Sequence, residues 1–333
     1  MTILVTGSAG FIGSQLVLKL LELGYEVVGM DNLNDYYDPK LKLSRLDRFL
    51  KHKNYSHHQI DLIQDKKIAQ LFSQYKPKIV VNLAAQAGVR YSLKNPQSFI
   101  NSNIVGFGNI LESSRINNVE HLIYASSSSV YGANLKLPYS TSDNVNHPKS
   151  LYAATKKSNE LMAHSYSSLY GLPCTGLRFF TVYGPWDRPD MALQKFAHSI
   201  MNNKTIKIFN NGNHKRDFTY IDDIIECLIR LIKIKSLPNP KWSGSDPRPS
   251  SSYAPWNLYN IGNNRPTSLI DYIDQLEINL GKIAKKEYLP MQPGDVLETW
   301  ADTEDLEKKI NYKPLVTVEE GIRKFVNWFK SYY

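Results

Sequence analysis

"TILVTGSAGFIGSQLVLKLLELGYEVVGMD", residues 2 to 31, decides the fold. It begins with "TILVT", a short apolar run rich in β-branched residues, which ends on Gly7 and reads as a buried strand. Beyond it Ile12, Leu16, Leu20 and Leu23 recur at helical spacing, with Gly24 as the stop. "YEVVGMD" is a second buried strand closing on Asp31. Strand, glycine-rich turn, helix and strand form a βαβ unit with parallel strands. The turn carries Gly7, Gly10 and Gly13 in G-x-x-G-x-x-G spacing. Glycines let the main chain turn tightly and approach a pyrophosphate resting on the helix N-terminus. Asp31, at the end of the second strand, can accept hydrogen bonds from both ribose hydroxyls and would repel a 2′-phosphate. The stretch therefore predicts a dinucleotide site that favours NAD over NADP.

The same rhythm continues along the chain. "IVVNLAA" (79–85), "HLIYAS" (121–126) and "CTGLRFF" (174–180) read as strands. "SFINSNIVGFGNILESSRIN" and "YAATKKSNELMAHSYSSLYG" read as helices between them. Alternating strands and helices predict an α/β fold, a doubly wound parallel sheet of Rossmann type covered on both faces. Asp61-Leu62 follows "HHQI" and reads as another strand end. After about residue 185 the pattern is less regular. The expected division is an NAD-binding domain over 1–180, with some later segments returning to it, and a smaller C-terminal α/β substrate domain over 181–333. "SLPNPKWSGSDPRPSSSYAP" (236–255) is rich in Ser and Pro and is expected to be a long loop, either a cover for the site or a flap.

Bulk properties narrow the function. A net charge of +9 is spread over scattered Lys and Arg without a basic run, so no nucleic-acid partner is expected. Such a field favours an anionic small substrate. There is no apolar run near the length of a membrane span and no basic leader before the first strand, so neither a membrane partner nor a secretory signal is expected. The two cysteines, Cys174 and Cys227, lack metal-ligand spacing; they predict no metal site and fit a reducing cytoplasm.

The chemistry centres on "YAATK", which places Tyr152 and Lys156 on one helix face. A phenol with its ordinary pKa near 10 is a poor base at neutral pH. A lysine ammonium beside it stabilises the phenolate and lowers that value. Next to a bound nicotinamide, such a phenol can take the proton of an alcohol as hydride leaves. Here the pair follows a dinucleotide turn and a strand that ends in four serines, Ser126 to Ser129.

"TGSAGFIG", "AAQAGVRYS", "SSSSVYG", "YAATK" and "RDFTYIDD" together resemble the extended short-chain dehydrogenase/reductases, the NAD-dependent epimerases and dehydratases of nucleotide sugars. The likeness covers essentially the whole chain. "DNLNDYYD" (31–38), "LRFFTVYGPWDRPDMAL" (177–193) and "LPMQPGDVLETWAD" (289–302) resemble the UDP-glucuronate 4-epimerase branch, which makes UDP-galacturonate. The resemblance implies that Tyr152 is the catalytic base and acid, that Lys156 tunes it and holds the nicotinamide ribose, and that Ser127 hydrogen-bonds the sugar's O4. It places Gly7, Gly10, Phe11, Ile12 and Gly13 along the pyrophosphate, Asp31 and Asn32 at the adenosine ribose, and Asp61 and Leu62 at the adenine. Ala84, Ala85 and Gln86 would line the nicotinamide side, with Asn103 a neighbour of Lys156.

For a UDP-sugar partner it implies Thr181 where many relatives carry Asn, Ala192 and Leu193 at the start of the uracil pocket, and Phe209 near the base. Arg216 would pair with the diphosphate and Asp295 would bind the uridine ribose. Arg188 is the candidate for the substrate carboxylate, since a guanidinium matches a carboxylate in bidentate fashion. The alternative is a loop arginine paired with Asp187 or Asp190; Arg90 is a weaker competitor. Relatives pair through the helices at 97–117 and 152–170, so a homodimer is expected. The resemblance also implies a place in making precursors for surface polysaccharide.

Rival readings remain within reach of the same residues. Dehydratases and decarboxylases of this family carry an acid just before "VYG", whereas Ser128 and Ser129 stand there and offer hydroxyls. Arg188 and "DNLNDYYD" weigh against a UDP-glucose or UDP-N-acetylglucosamine 4-epimerase. Intact Ser127, Tyr152 and Lys156 weigh against a non-catalytic NAD-binding regulator.

Overall fold

In the computed structural model, which describes residues 1–291 and 297–333, the chain divides into two units. The first comprises residues 1–136, 140–179 and 225–260; the second comprises 137–139, 180–224 and 261–333. Along the chain the strands are β1 (Thr2–Thr6), β2 (Glu26–Asp31), β3 (Tyr55–Gln59), β4 (Ile79–Asn82), β5 (His121–Ser127), β6 (Cys174–Phe179) and β7 (Thr181–Tyr183). They continue with β8 (Ile206–Phe209), β9 (Lys215–Tyr220), β10 (Trp256–Ile261), β11 (Pro266–Ser268), β12 (Lys286–Leu289) and β13 (Glu298–Thr299).

Among the described residues the sheet of the first unit has the order β10-β6-β5-β4-β1-β2-β3. The pairs from β3 across to β6 are all parallel. Strand order runs outward from β1 to β3, then returns to β4 on the other side of β1. This reversal is the topological switch point, where open α/β sheets bind ligands beyond the strands' carboxyl ends. The whole of β4 is buried, as is almost all of β5, the result expected when helices cover both faces of the sheet.

Helix Phe11–Glu22 buries Leu16, Val17, Leu20 and Leu21. Its apolar stripe is slightly rotated from the expected one: Ile12 is half-buried, and Leu23 is exposed at the helix end just before Gly24, whose φ of +81° makes the stop. Strand β4 ends at Asn82, short of the expected residue 85, because the Ala84 amide leaves the ladder and donates to Thr6 Oγ1 at 3.1 Å. The helix expected over 98–117 is interrupted. Short helices at Tyr91–Lys94 and Pro96–Phe99 lead into a π-helical stretch, Ile100–Val105, before the regular helix Gly106–Ile116. Helix Leu151–Tyr170 starts on Ser150, whose hydroxyl accepts from the Ala153 amide at 3.1 Å, and stops at Gly171 with φ +67°.

The loop 236–255 belongs to the first unit. Ser252 and Tyr253 bond His164 and Ser168, near the C-terminal end of helix Leu151–Tyr170 and at the opposite end from Tyr152. It ends in β10, which "WNLYNI" alone did not announce. Both cysteines are buried and unbridged. No helix among the described residues is long and apolar enough to cross a membrane.

In the second unit β9 pairs with β7, β11 and β13, and β8 pairs with β12. Two buried carboxylates tie its loops together. Asp217 accepts from the amides of Asn263, Asn264 and Ala301, while Asp223 accepts from Tyr312 Oη and the amides of Leu315 and Val316.

Candidate active site

The glycine-rich turn sits at the carboxyl end of β1. The Gly7 amide donates to Met30 O at 2.7 Å, with φ +71°. A Cβ at Gly13 would lie 2.0 Å from Gly7 O, and one at Gly7 would lie 2.9 Å from Ala84 N, so neither position admits a side chain. Gly10 provides no side-chain cap for helix Phe11–Glu22. The first-turn amides of Phe11, Ile12 and Gly13 thus face outward from the turn without an intrahelical partner, which suits an anionic pyrophosphate. Asp31 is 8% exposed and holds the turn from the side: Oδ2 accepts from Ala9 N at 3.1 Å and Oδ1 from Leu33 N at 2.9 Å. Asn32 donates to Asp61 Oδ2 at 2.7 Å, which brings the ribose and adenine candidates together. These residues fit a dinucleotide.

Leu62 follows Asp61 with its side chain in the hydrophobic core, packed against Gly106. Ala84 and Ala85 lie half-buried in the loop after β4, and Gln86 is buried. Asn103, inside the π-helical stretch, clamps that loop: Nδ2 donates to Gln86 O and Oδ1 accepts from Gln86 N, at 3.0 and 2.8 Å. Its other side-chain bond reaches Thr155 Oγ1 at 3.0 Å, one residue short of the expected Lys156. Extra turn residues of π type commonly serve such sites.

Lys156 is buried, and its ammonium donates to Ala125 O at 2.8 Å. Burial pulls its pKa from the ordinary 10.5 down to about 8. Tyr152, one turn earlier, is half-buried with its ring edge against Phe99 at 6.0 Å. Ser127 ends β5 and caps the following turn, Ser128–Tyr131, by accepting from Ser129 N at 3.2 Å. Its hydroxyl hydrogen is therefore the one it can donate onward. Ser128 and Ser129 are half-buried in that turn.

Buried charges that local patterns did not announce support both halves of this site. Arg45, fully buried, donates to Ala9 O at 3.1 Å and to Tyr37 Oη at 2.6 Å. Lys42 donates to Asn34 O and Oδ1 at 2.8 and 2.7 Å, and burial lowers its pKa. The available signal was positional: Arg45 falls one turn after buried Leu41, on its stripe. Likewise Glu160 lies one turn beyond Lys156.

In the second unit Thr181 opens β7 opposite Phe218. Helix Ala192–Met201 begins with exposed Ala192 and buried Leu193. Leu193's side chain serves the core, and its backbone amide lies in the first helical turn. Phe209 ends β8. Arg216 donates to Lys215 O and Leu297 O, both at 3.0 Å. Arg188 takes up the alternative pairing: Nε and Nη2 lie fork-on against Asp190 at 3.0 Å each, and its amide donates to Asp187 Oδ1 at 2.6 Å. Arg90 is exposed before Tyr91–Lys94. Asp295 lies outside the described residues.

A dinucleotide cradle at a switch point, followed by a tyrosine and a buried lysine one helical turn apart, defines a pyridine-nucleotide enzyme of Rossmann type. The NAD dependent epimerase/dehydratase family matches residues 3–241, and the chain belongs to that family, whose cofactor is NAD. It is 57% identical to protein CapI of Staphylococcus aureus, over 100% of this chain and 99% of that one. It is 42% identical to the probable UDP-glucuronate 4-epimerase of Rhizobium meliloti, covering 100% and 98%. The crystal structure of UDP-glucuronic acid 4-epimerase from Bacillus cereus, in complex with UDP-glucuronic acid and NAD, superposes with a TM-score of 0.88 at 32% identity, over 100% of both chains.

Proposed function

We propose that the protein interconverts UDP-glucuronate and UDP-galacturonate by inverting C4 of the sugar. The observation that carries this is the serine turn after β5: Ser127 caps Ser128–Tyr131, and serines occupy both slots where destructive relatives place an acid.

When bound, NAD supplies a two-electron acceptor and donor of hydride. Gly7 to Gly13 hold its pyrophosphate and Asp31 its adenosine ribose. Tyr152 removes the O4 proton while C4 becomes a ketone; Lys156 stabilises the phenolate, and Ser127 donates to O4. The ketone then turns about its phosphate linkage, presents its other face and is reduced, with Tyr152 returning the proton. Binding energy from the remote UDP keeps the sugar anchored during rotation. Thr181, Ala192, Leu193, Phe209, Arg216 and Asp295 are assigned to the UDP-sugar, and Arg188 to its carboxylate. A 4-keto uronic acid is a β-keto acid prone to lose CO₂. Holding the carboxylate out of alignment with the carbonyl, with no acid at positions 128 and 129, suppresses that loss.

Exposed Val105, Ile116, Leu161 and Leu169 on helices Gly106–Ile116 and Leu151–Tyr170 and the π stretch support a homodimer; light scattering would read it. Free buried thiols are compatible with a cytoplasmic site of action supplying polysaccharide precursors. Incubation with UDP-glucuronate followed by NMR tests the assignment. UDP-galacturonate is the expected product; a UDP-pentose, no turnover, or equal turnover of UDP-glucose overturns it.

A further inference from the structure

Ser126 and Ser127 are chain neighbours with opposite duties. In a strand successive side chains point to opposite faces. Ser127 therefore points away from the face of Ser126, and its hydroxyl accepts from Ser129 N in the turn, while Ser126, 2% exposed, points at the helix that carries Tyr152 and Lys156. The Ser126 hydroxyl donates to Glu160 Oε1 at 2.7 Å. Glu160 follows Lys156 by one helical turn and Tyr152 by two, on the same face. The same carboxylate receives Nε and Nη2 of Arg178 at 2.8 and 3.0 Å, and Lys157 Nζ at 3.2 Å. Arg178 is the register partner of Ser126 across the β5–β6 pair. Its guanidinium also lies 4.9 Å from the centroid of the Tyr131 ring, and Tyr131 Oη donates to Asn260 Oδ1 at 2.6 Å.

The turn carrying Ser127 is thus bracketed. Ser126 before it and Tyr131 after it both rest on the Glu160–Arg178 pair. That pair belongs half to the helix of Tyr152 and Lys156 and half to the neighbouring strand. Lys156 adds a second tie through Ala125 O. A sealed ion pair is a poor device for stability, because well-packed apolar residues of like volume often serve as well. Its geometry is the useful property: with the Lys156 bond to Ala125 O, four directed bonds hold the helix in one position against β5 and β6.

We propose that Ser126 and Glu160, backed by Arg178, are positioning residues that fix the Ser127 turn against the Tyr152–Lys156 helix. The inference rests on the assignment of Ser127, Tyr152 and Lys156 to the reaction. Ser126→Ala is the informative variant, since Glu160 Oε1 keeps its Arg178 bond and the fold has no reason to fail. The expected result is a kcat lowered about tenfold, with KM for the UDP-sugar and bound NAD unchanged and only the small fall in Tm that one lost buried hydrogen bond brings. In the Ser126→Ala/Glu160→Gln double variant the loss should equal that of Glu160→Gln alone, because the two act as one unit. An unchanged kcat, additive losses, or a fall in kcat that only tracks a fall in Tm and NAD content would overturn the proposal. Tyr152→Phe run alongside separates the two levels. If it keeps activity, the site assignment itself fails; if it is inactive while Ser126→Ala is normal, only the positioning role fails.

Discussion

Arg178 and Arg188 each hold a carboxylate by the same fork, yet the surroundings give the two pairs different uses. Arg178 meets Glu160 with the side chains 0% and 1% exposed, and Arg188 meets Asp190 with 25% and 27% exposed. Around the first pair, burial works to raise Glu160's pKa, but the charge and bonds of Arg178 outweigh it and hold the carboxyl below its usual range. Water cannot substitute for either partner there, so the pair is a fixture. At the second pair water competes, and such pairs are individually weak. An exchangeable fork is what a substrate carboxylate would need, and on the proposed reading Asp190 stands where the uronate oxygens would bind. Identical geometry therefore gives a fixed strut in one place and an exchangeable pair in the other, with solvent access deciding between them.

Replacing Arg178 by Met should break the comparison most visibly. It leaves buried Glu160 with only the Ser126 hydroxyl and the part-exposed Lys157 ammonium, so stability should fall by up to about 3–5 kcal/mol, read as a drop in the urea midpoint. A small change would mean that Glu160 has another route to relief.

Lys156→Met tests the same burial rule with the opposite sign. The folded protein holds the ammonium's pKa at about 8 against 10.5, so below pH 8 the native state carries a charging penalty of roughly 3 kcal/mol. That penalty shrinks as pH rises from 8 to 10.5 and is gone above it. The variant should be inactive but more stable than the parent at pH 7, with the difference vanishing near pH 10.5. Equal stability at both pH values would contradict the burial argument.

Arg188→Ala should leave the urea midpoint where it is and raise KM for UDP-glucuronate about tenfold to a hundredfold, the value of a charged hydrogen-bonded contact. Wild-type KM and turnover would remove the carboxylate role. Asp190→Asn is the finest probe. Freed of its competitor, Arg188 should bind the uronate about twofold to fivefold more tightly, with KM measured at fixed ionic strength. A higher KM would make Asp190 a supporting residue instead.

The parts of this account that were legible beforehand are local. Gly7, Gly10 and Gly13 announce a turn because their spacing alone constrains the main chain, and Tyr152–Lys156 share a face by helical geometry. What escaped depends on partners distant in sequence. Strand β10 arrives after a long Ser/Pro-rich loop, and its place beside β6 is set by the sheet. The π-helical stretch that aims Asn103 has no composition of its own. The burial of the Leu62 and Leu193 side chains is likewise set by tertiary packing. Glu160, Arg178, Arg45 and Lys42 carry no local pattern that marks them as buried; tertiary contacts enclose them.

In the proposed mechanism Ser127, Tyr152 and Lys156 move only the O4 proton, while the C4 hydrogen leaves and returns as hydride. Running the reaction on UDP-glucuronate in D₂O tests it most directly. Proton NMR should show UDP-galacturonate with hydrogen, not deuterium, at C4 and C5. Deuterium at either carbon, or a decarboxylated product, would contradict the account.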